Sequence, residues 1–88
     1  MALFVIIPTS LESSALDTAV TEKFSKKCFK LQRGEWLVAY DGTSKQLSDD
    51  LKITDGEIGV SAVVLGFSGY FGRSSKDIWE WLSVNSPE

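Results

Sequence analysis

The sequence predicts a small α+β protein of the ferredoxin-like class, in which a four-stranded antiparallel sheet carries two helices on one face. Two observations lead to this class: segments with strand and helix periodicity follow one another in the order β-α-β-β-α-β, and 43% of the 88 residues are apolar. A chain of this size closes one core. We therefore expect a single domain over residues 1–84, including an added C-terminal helix, and a frayed tail over residues 85–88.

The first strand and first helix follow from the apolar pattern of the N-terminal quarter. Leu3–Ile7 is apolar at every position, which is typical of a central strand, and Pro8 ends it because proline lacks an N–H. Between Ser13 and Ser25 the apolar residues recur at steps of three and four, which predicts an amphipathic helix.

Two alternating segments then predict an antiparallel hairpin. Cys28–Gln32 and Glu35–Tyr40 flank Arg33 and Gly34, and glycine supplies the positive φ that a tight turn needs. Alternation places every second residue of the later strand on one face. One face receives Trp36, Val38 and Tyr40, and the other receives Leu37 and Ala39.

The remaining elements are indicated by capping patterns and one apolar run. Thr43 stands three residues before Gln46, a capping-box spacing that predicts a short helix to about Leu51. A continuous apolar strand follows at Ala62–Phe67. Ser74 and Asp77 have the same capping spacing and predict the start of a third helix, which carries Ile78, Trp79, Trp81 and Leu82.

Composition excludes much catalytic chemistry. The chain has no His and one Cys, so it cannot form a zinc site, a Ser-His-Asp or Cys-His couple, or an intrachain disulfide. We expect no catalytic residue, metal or cofactor, and a binding protein is favoured over an enzyme. The run Leu3–Ile7 is too short for a signal sequence or a membrane span, which predicts a cytoplasmic protein that does not enter a membrane.

Asp49 and Asp50 are adjacent carboxylates and therefore candidate metal ligands. Adjacent residues on a helix point about 100° apart, so the pair cannot grip one ion without other ligands. We interpret them as solvated helix surface, with a metal site as the alternative.

A basic stripe lies between the first helix and the hairpin. Residues 1–33 hold five basic and three acidic residues, whereas the remainder holds four basic and nine acidic residues within a net charge of −3. Such a stripe can bind phosphates, or it can protect the edge of a sheet from aggregation. Its members are Lys23, Lys26, Lys27, Lys30 and Arg33.

The segment Gly66–Ser75 combines three regularly spaced glycines, aromatic residues and an Arg directly before a helix. It could receive an anion through backbone N–H groups, or it could be a strand-to-helix connection whose aromatic residues pack over the core. Its binding candidates are Tyr70, Phe71, Arg73, Ser74 and Ser75. Trp79 and Trp81 are interface candidates because we do not expect both to face inward on one short helix.

Four segments resemble the small SinR-like proteins, which are related in fold to the dimeric ferredoxin-like subunit of the CRISPR spacer integrase and to VapD-type toxins. They are Glu35–Val38, Thr43–Leu51, Ala62–Leu65 and Ile78–Leu82. The resemblance implies a homodimer and, in the better understood relatives, association with nucleic acid. Metal-binding relatives have an Asp at the end of the first strand, where this chain has Ile7-Pro8-Thr9.

Two functions follow as expectations. The first is a non-catalytic homodimer that binds a protein partner, as an interaction or inhibitor-type protein linked to a nucleic-acid or defence system. The alternative is a metal-dependent ribonuclease or nucleic-acid-binding protein of the CRISPR-adaptation or toxin type.

Overall fold

The computed structural model describes residues 1–86, which form four strands, three α-helices and one short 3₁₀ helix. In chain order they are β1 Ala2–Pro8, α1 Ser14–Phe24, the 3₁₀ helix Ser25–Lys27, β2 Cys28–Lys30, β3 Trp36–Tyr40, α2 Ser44–Asp50, β4 Ala62–Phe67 and α3 Lys76–Asn85.

The strands form one antiparallel sheet in the order β2-β3-β1-β4. Val5 of β1 stands opposite Leu37 of β3 on one side and Leu65 of β4 on the other. This confirms a small α+β protein with a four-stranded antiparallel sheet, and it confirms β1 as an inner strand. The turn between β2 and β3 contains Gly34 at a φ of 105°, as the hairpin pattern predicts.

The expectation of one core is wrong, because different helices cover the two faces of the sheet and each face has its own buried cluster. On the first face, α1 and α2 bury the larger core, which contains Phe4, Ile6, Leu16, Val20, Trp36, Val38, Leu47, Leu51 and Val60. On the second face, α3 packs on a smaller core of Leu3, Leu37, Ala39 and Leu82. The alternation predicted for β3 is therefore confirmed, because its neighbouring residues belong to opposite cores.

The expectation that Trp79 and Trp81 do not both pack inward is wrong. Both are partly buried against the second-face core, Trp79 in a stack with Tyr70 at 6.3 Å between ring centroids and Trp81 at 6.3 Å from the Phe29 ring. Residues on a helix advance by about 100°, so the two rings flank the stripe formed by Ile78 and Leu82 and reach the sheet on opposite sides of it. An interface role for either Trp stays a prediction.

One of the two predicted capping boxes is confirmed. The backbone N–H of Gln46 donates to Thr43 Oγ1 at 3.1 Å, and the N–H of Thr43 donates to Gln46 Oε1 at 2.9 Å. The box predicted at Ser74 is wrong, because α3 begins at Lys76 with Ser75 as its N-cap and without a side-chain cap bond. In that register the third helical position is Ile78, which has no acceptor to return to the cap.

The predicted tail from Asn85 onward also needs correction. Asn85 is the last residue of α3, and its Nδ2 donates to the carbonyl oxygen of Trp81 at 2.9 Å. The Ser86 N–H donates to the Leu82 carbonyl at 2.9 Å, which closes the last turn. Residues 87–88 of the predicted tail lie outside the described residues. Within residues 1–86, none of the helices combines the length and apolar character that crossing a bilayer requires.

Candidate functional site

A groove of about 780 Å³ lies on the second face, between the sheet and the start of α3. We call it the second-face groove. Its apolar lining comes from Val5, Ile7, Phe29, Leu31 and Ile78. The groove exists because α3 covers only the part of the second face around Leu3, Leu37 and Ala39.

The rim of the second-face groove is polar and carries both signs of charge. Arg33 contributes positive charge, and Glu35 and Asp77 contribute negative charge. Lys30 also lines the groove, but its Nζ pairs with Asp17 of α1, which covers the first face. An apolar lining with a mixed polar rim resembles the anatomy of a protein-binding surface more than that of a phosphate site.

The loop before α3 contributes unequally to this groove. Ser74 and Ser75 line it, whereas Arg73 is exposed and makes no ion pair within residues 1–86. Tyr70 packs against Trp79, and its hydroxyl is 2.8 Å from Ser86 Oγ. Phe71 is fully exposed. The structure thus supports the core-packing interpretation for Tyr70 and leaves Phe71 as a free aromatic side chain.

The predicted basic stripe is divided among separate surfaces. Lys30 and Arg33 line the second-face groove, Lys26 lines a shallow cleft beside Trp81, and Lys23 lines another cleft next to the end of α2. Lys27 is exposed at the end of the 3₁₀ helix.

Lys30 is also engaged in an ion pair. Its Nζ lies 2.9 Å from Asp17 Oδ2 on α1. Part of the positive charge that could meet a phosphate is therefore already neutralised.

Asp49 and Asp50 do not converge on a common point. Asp49 pairs with Lys45 Nζ at 2.9 Å, and Asp50 accepts a hydrogen bond from the Tyr40 hydroxyl. That bond to Asp50, together with partial burial, raises the pKa of Tyr40 to about 12. Over residues 1–86, no three acidic, Cys or His side chains are grouped so that they could hold a metal ion.

The feature that sequence reasoning missed is the outer edge of β4. Among residues 1–86, this strand is bonded to β1 alone, so one side of its backbone is open. Val63 and Leu65, on its second-face side, are each 47% exposed, although a continuous apolar run suggests coverage on both faces. No local sequence signal identifies β4 as an edge, because the order β2-β3-β1-β4 is set by pairing between segments that are distant in sequence.

The sequence matches no protein-family model and no curated protein at a significant level. The candidate functional surfaces are the second-face groove, the β4 edge and the loop of residues 68–75, which we call the Phe71 loop.

Proposed function

We propose that this protein is a non-catalytic homodimeric module that binds a protein partner, as an interaction or inhibitor-type protein linked to a nucleic-acid or defence system. We further propose that its fold is ferredoxin-like and of the SinR-like kind. The strand order β2-β3-β1-β4 supports this assignment, with α3 as an addition on the second face. The link to nucleic-acid or defence systems rests on the SinR-like resemblance alone.

The main support for a homodimer is the unprotected edge of β4. An edge strand exposes a row of backbone donors and acceptors, and proteins that stay monomeric usually blunt such edges with lysines, prolines or bulges. β4 has six residues, none of them charged or proline, and it exposes Val63 and Leu65. This composition is typical of a strand whose open edge is paired in the functional form of the protein.

The opposite edge of the same sheet shows what protection looks like. β2 has only three residues, and Lys30 lies within it while Lys26 and Lys27 immediately precede it. A short, lysine-rich edge discourages pairing. The contrast between the two edges favours one specific association through β4 over nonspecific aggregation through both edges.

The support for a protein partner is the free aromatic side chain next to this edge. Phe71 is 101% exposed in the loop that joins β4 to α3, and the second-face groove begins at Ser74 of the same loop. Exposed aromatic residues are enriched at the centres of protein interfaces. The alternative function as a nuclease or nucleic-acid binder has less support, because the basic residues are divided among several surfaces.

Sedimentation velocity or light scattering over a range of concentrations tests the homodimer. We expect a dimer for the wild type and a monomer for Leu65→Lys, which places a charge on the open edge. Val84→Lys is the matched control, because Val84 is also an exposed apolar residue, at 80%, but lies on α3. A wild-type monomer at high micromolar concentration would refute the homodimer.

Capture from an extract of the native host tests the partner. Wild type is compared with Phe71→Ser and with Leu11→Ser, since Leu11 is an equally exposed apolar loop residue at 107%. A protein retained by wild type and Leu11→Ser but lost from Phe71→Ser is the expected result. Equal retention by all three chains would contradict a partner that docks on the Phe71 loop, and recovery of RNA in place of protein would favour the alternative function.

A further inference from the structure

The hydrogen bonds of the sheet show which backbone groups of β4 are free. The Thr9 N–H donates to the Ser61 carbonyl oxygen at 2.7 Å, and this pair continues the register in which Ile7 faces Val63 and Val5 faces Leu65. In an antiparallel ladder, hydrogen-bonded pairs alternate with pairs that are not bonded to each other. Ser61, Val63, Leu65 and Phe67 therefore direct their backbone groups toward β1.

The residues between them direct their backbone groups to the open edge. These are Ala62, Val64 and Gly66, which together offer three N–H donors and three carbonyl acceptors. No other element of residues 1–86 pairs with this side of β4. The edge thus has a fixed pattern that a partner strand must match.

We infer that β4 pairs antiparallel with β4 of a second copy, about a two-fold axis that passes midway between the Val64 residues of the two copies, to form a continuous eight-stranded sheet. This inference rests on the proposed homodimer and specifies its geometry. A two-fold axis between identical strands makes the interface self-complementary, as in most homodimers.

Backbone alternation selects this register. The three outward residues can bond only to outward residues of the second copy, so a shift by one residue presents groups that already face β1. Centring on Val64 places Ala62 opposite the partner subunit's Gly66, Val64 opposite the partner subunit's Val64, and Gly66 opposite the partner subunit's Ala62. A shift by two residues leaves one of the three outward residues outside the ladder.

The exposed side chains fit the same register. On the second face, Val63 comes opposite the partner subunit's Leu65, and Leu65 comes opposite the partner subunit's Val63. These are non-hydrogen-bonded positions, where facing side chains approach most closely. The two side chains left 47% exposed in one chain are thus the two that bury each other in the pair.

Electrostatics permits this self-pairing. No Asp, Glu, Lys or Arg occurs between Glu57 and Arg73, so the two strands bring no like charges together. On the first face the pairing sets Ala62 against Gly66, where small side chains leave the existing core undisturbed.

Disulfide trapping in a Cys28→Ser background tests the register, because Cys28 is the single native cysteine and lies on the opposite edge. Val63→Cys and Leu65→Cys chains are oxidised separately and as a mixture. Facing residues in a non-bonded pair fall within the Cα separation that a disulfide spans, whereas diagonal neighbours lie about 7–8 Å apart and exceed it. We expect covalent dimers in the mixture, joined between positions 63 and 65, and little product from either chain alone.

Several outcomes would overturn the inference. Efficient self-cross-linking of Val63→Cys or Leu65→Cys alone would indicate a register centred on another residue. No cross-link in a protein that light scattering shows to be a dimer would place the interface elsewhere, and the homodimer would still stand. A Val84→Cys chain measures collisional cross-linking, and product at its level in the mixture would also refute the pairing. A monomer in solution would refute the homodimer itself.

Discussion

The carboxylate of Asp17 on α1 accepts a hydrogen bond from Trp36 Nε1 on β3 at 2.9 Å. The Trp36 ring is buried in the first-face core, and its N–H is the polar group that such a ring must satisfy. The second oxygen of Asp17 receives Lys30 Nζ from β2 at 2.9 Å. One carboxylate thus fixes the position of α1 over two strands of the sheet.

Replacing Asp17 should show how much the Trp36 bond stabilises the fold. Asp17→Ala leaves a buried indole N–H without a partner and should lower the free energy of unfolding by about 1–2 kcal/mol. Asp17→Asn keeps an acceptor for Trp36 and should cost less. Urea denaturation of both variants provides the measurement. If the two variants lose the same free energy of unfolding, the ion pair between Asp17 and Lys30 is the main contribution of Asp17 to stability.

The same carboxylate predicts the acid sensitivity of the fold. Partial burial raises the pKa of Asp17, but hydrogen bonds from Lys30 and Trp36 outweigh it and leave the pKa below its ordinary value. The unfolded chain then takes up its proton at the higher pH. This stabilisation is therefore complete above about pH 4 and is lost as the pH falls through the lower pKa of the folded state.

Unfolding free energies measured between neutral and acid pH should therefore fall less steeply below about pH 4 for Asp17→Asn than for the wild type. Asp49→Asn is the comparison, because hydrogen bonds from Lys45 and Thr54 also lower the pKa of Asp49, but its side chain is more exposed than that of Asp17, 41% against 31%. Identical acid profiles for wild type and Asp17→Asn would contradict the argument.

The Tyr40 hydroxyl should titrate at an unusually high pH. The hydroxyl donates to Asp50, and this bond raises the pKa of Tyr40 to about 12. The bond therefore stabilises the fold fully at pH values below the ordinary tyrosine pKa. This stabilisation is lost as the pH rises through the raised pKa of the folded state. In a Tyr70→Phe background, ultraviolet absorbance follows Tyr40 alone. Asp50→Asn should move the titration to lower pH because it weakens the hydrogen bond and removes the negative charge of Asp50. An unchanged titration would assign the shift to burial, and circular dichroism checks that the chain stays folded.

The elements of the fold were largely predictable because their signals are local. The alternation of Trp36–Tyr40, the apolar run Leu3–Ile7 and the Thr43 cap each depend on residues close in sequence, and each is present in the structure. The start of α3 was misplaced for the same reason. A Ser-x-x-Asp spacing occurs without its hydrogen bonds when the helix begins one residue later.

The candidate site was less predictable, because it depends on distant relationships. The exposure of Val63 and Leu65 follows from the place of β4 at the edge and from how far α3 extends over the second face. The basic residues looked like one stripe in sequence, but the turn after α1 and the β2–β3 hairpin direct them to separate surfaces. No local pattern encodes either arrangement.

The two helix starts provide a matched test of capping. Thr43→Ala removes a cap bond made at 3.1 Å and should lower the free energy of unfolding by about 1 kcal/mol. Ser75→Ala removes a cap residue whose side chain makes no cap bond, so it should change stability by less than about 0.5 kcal/mol. Both positions are exposed, so packing differs little between the two substitutions. Thermal or urea unfolding of the two variants measures the difference. A loss for Ser75→Ala equal to that for Thr43→Ala would mean that Ser75 caps α3 in solution, and no loss for Thr43→Ala would contradict the assignment of the capping box to α2.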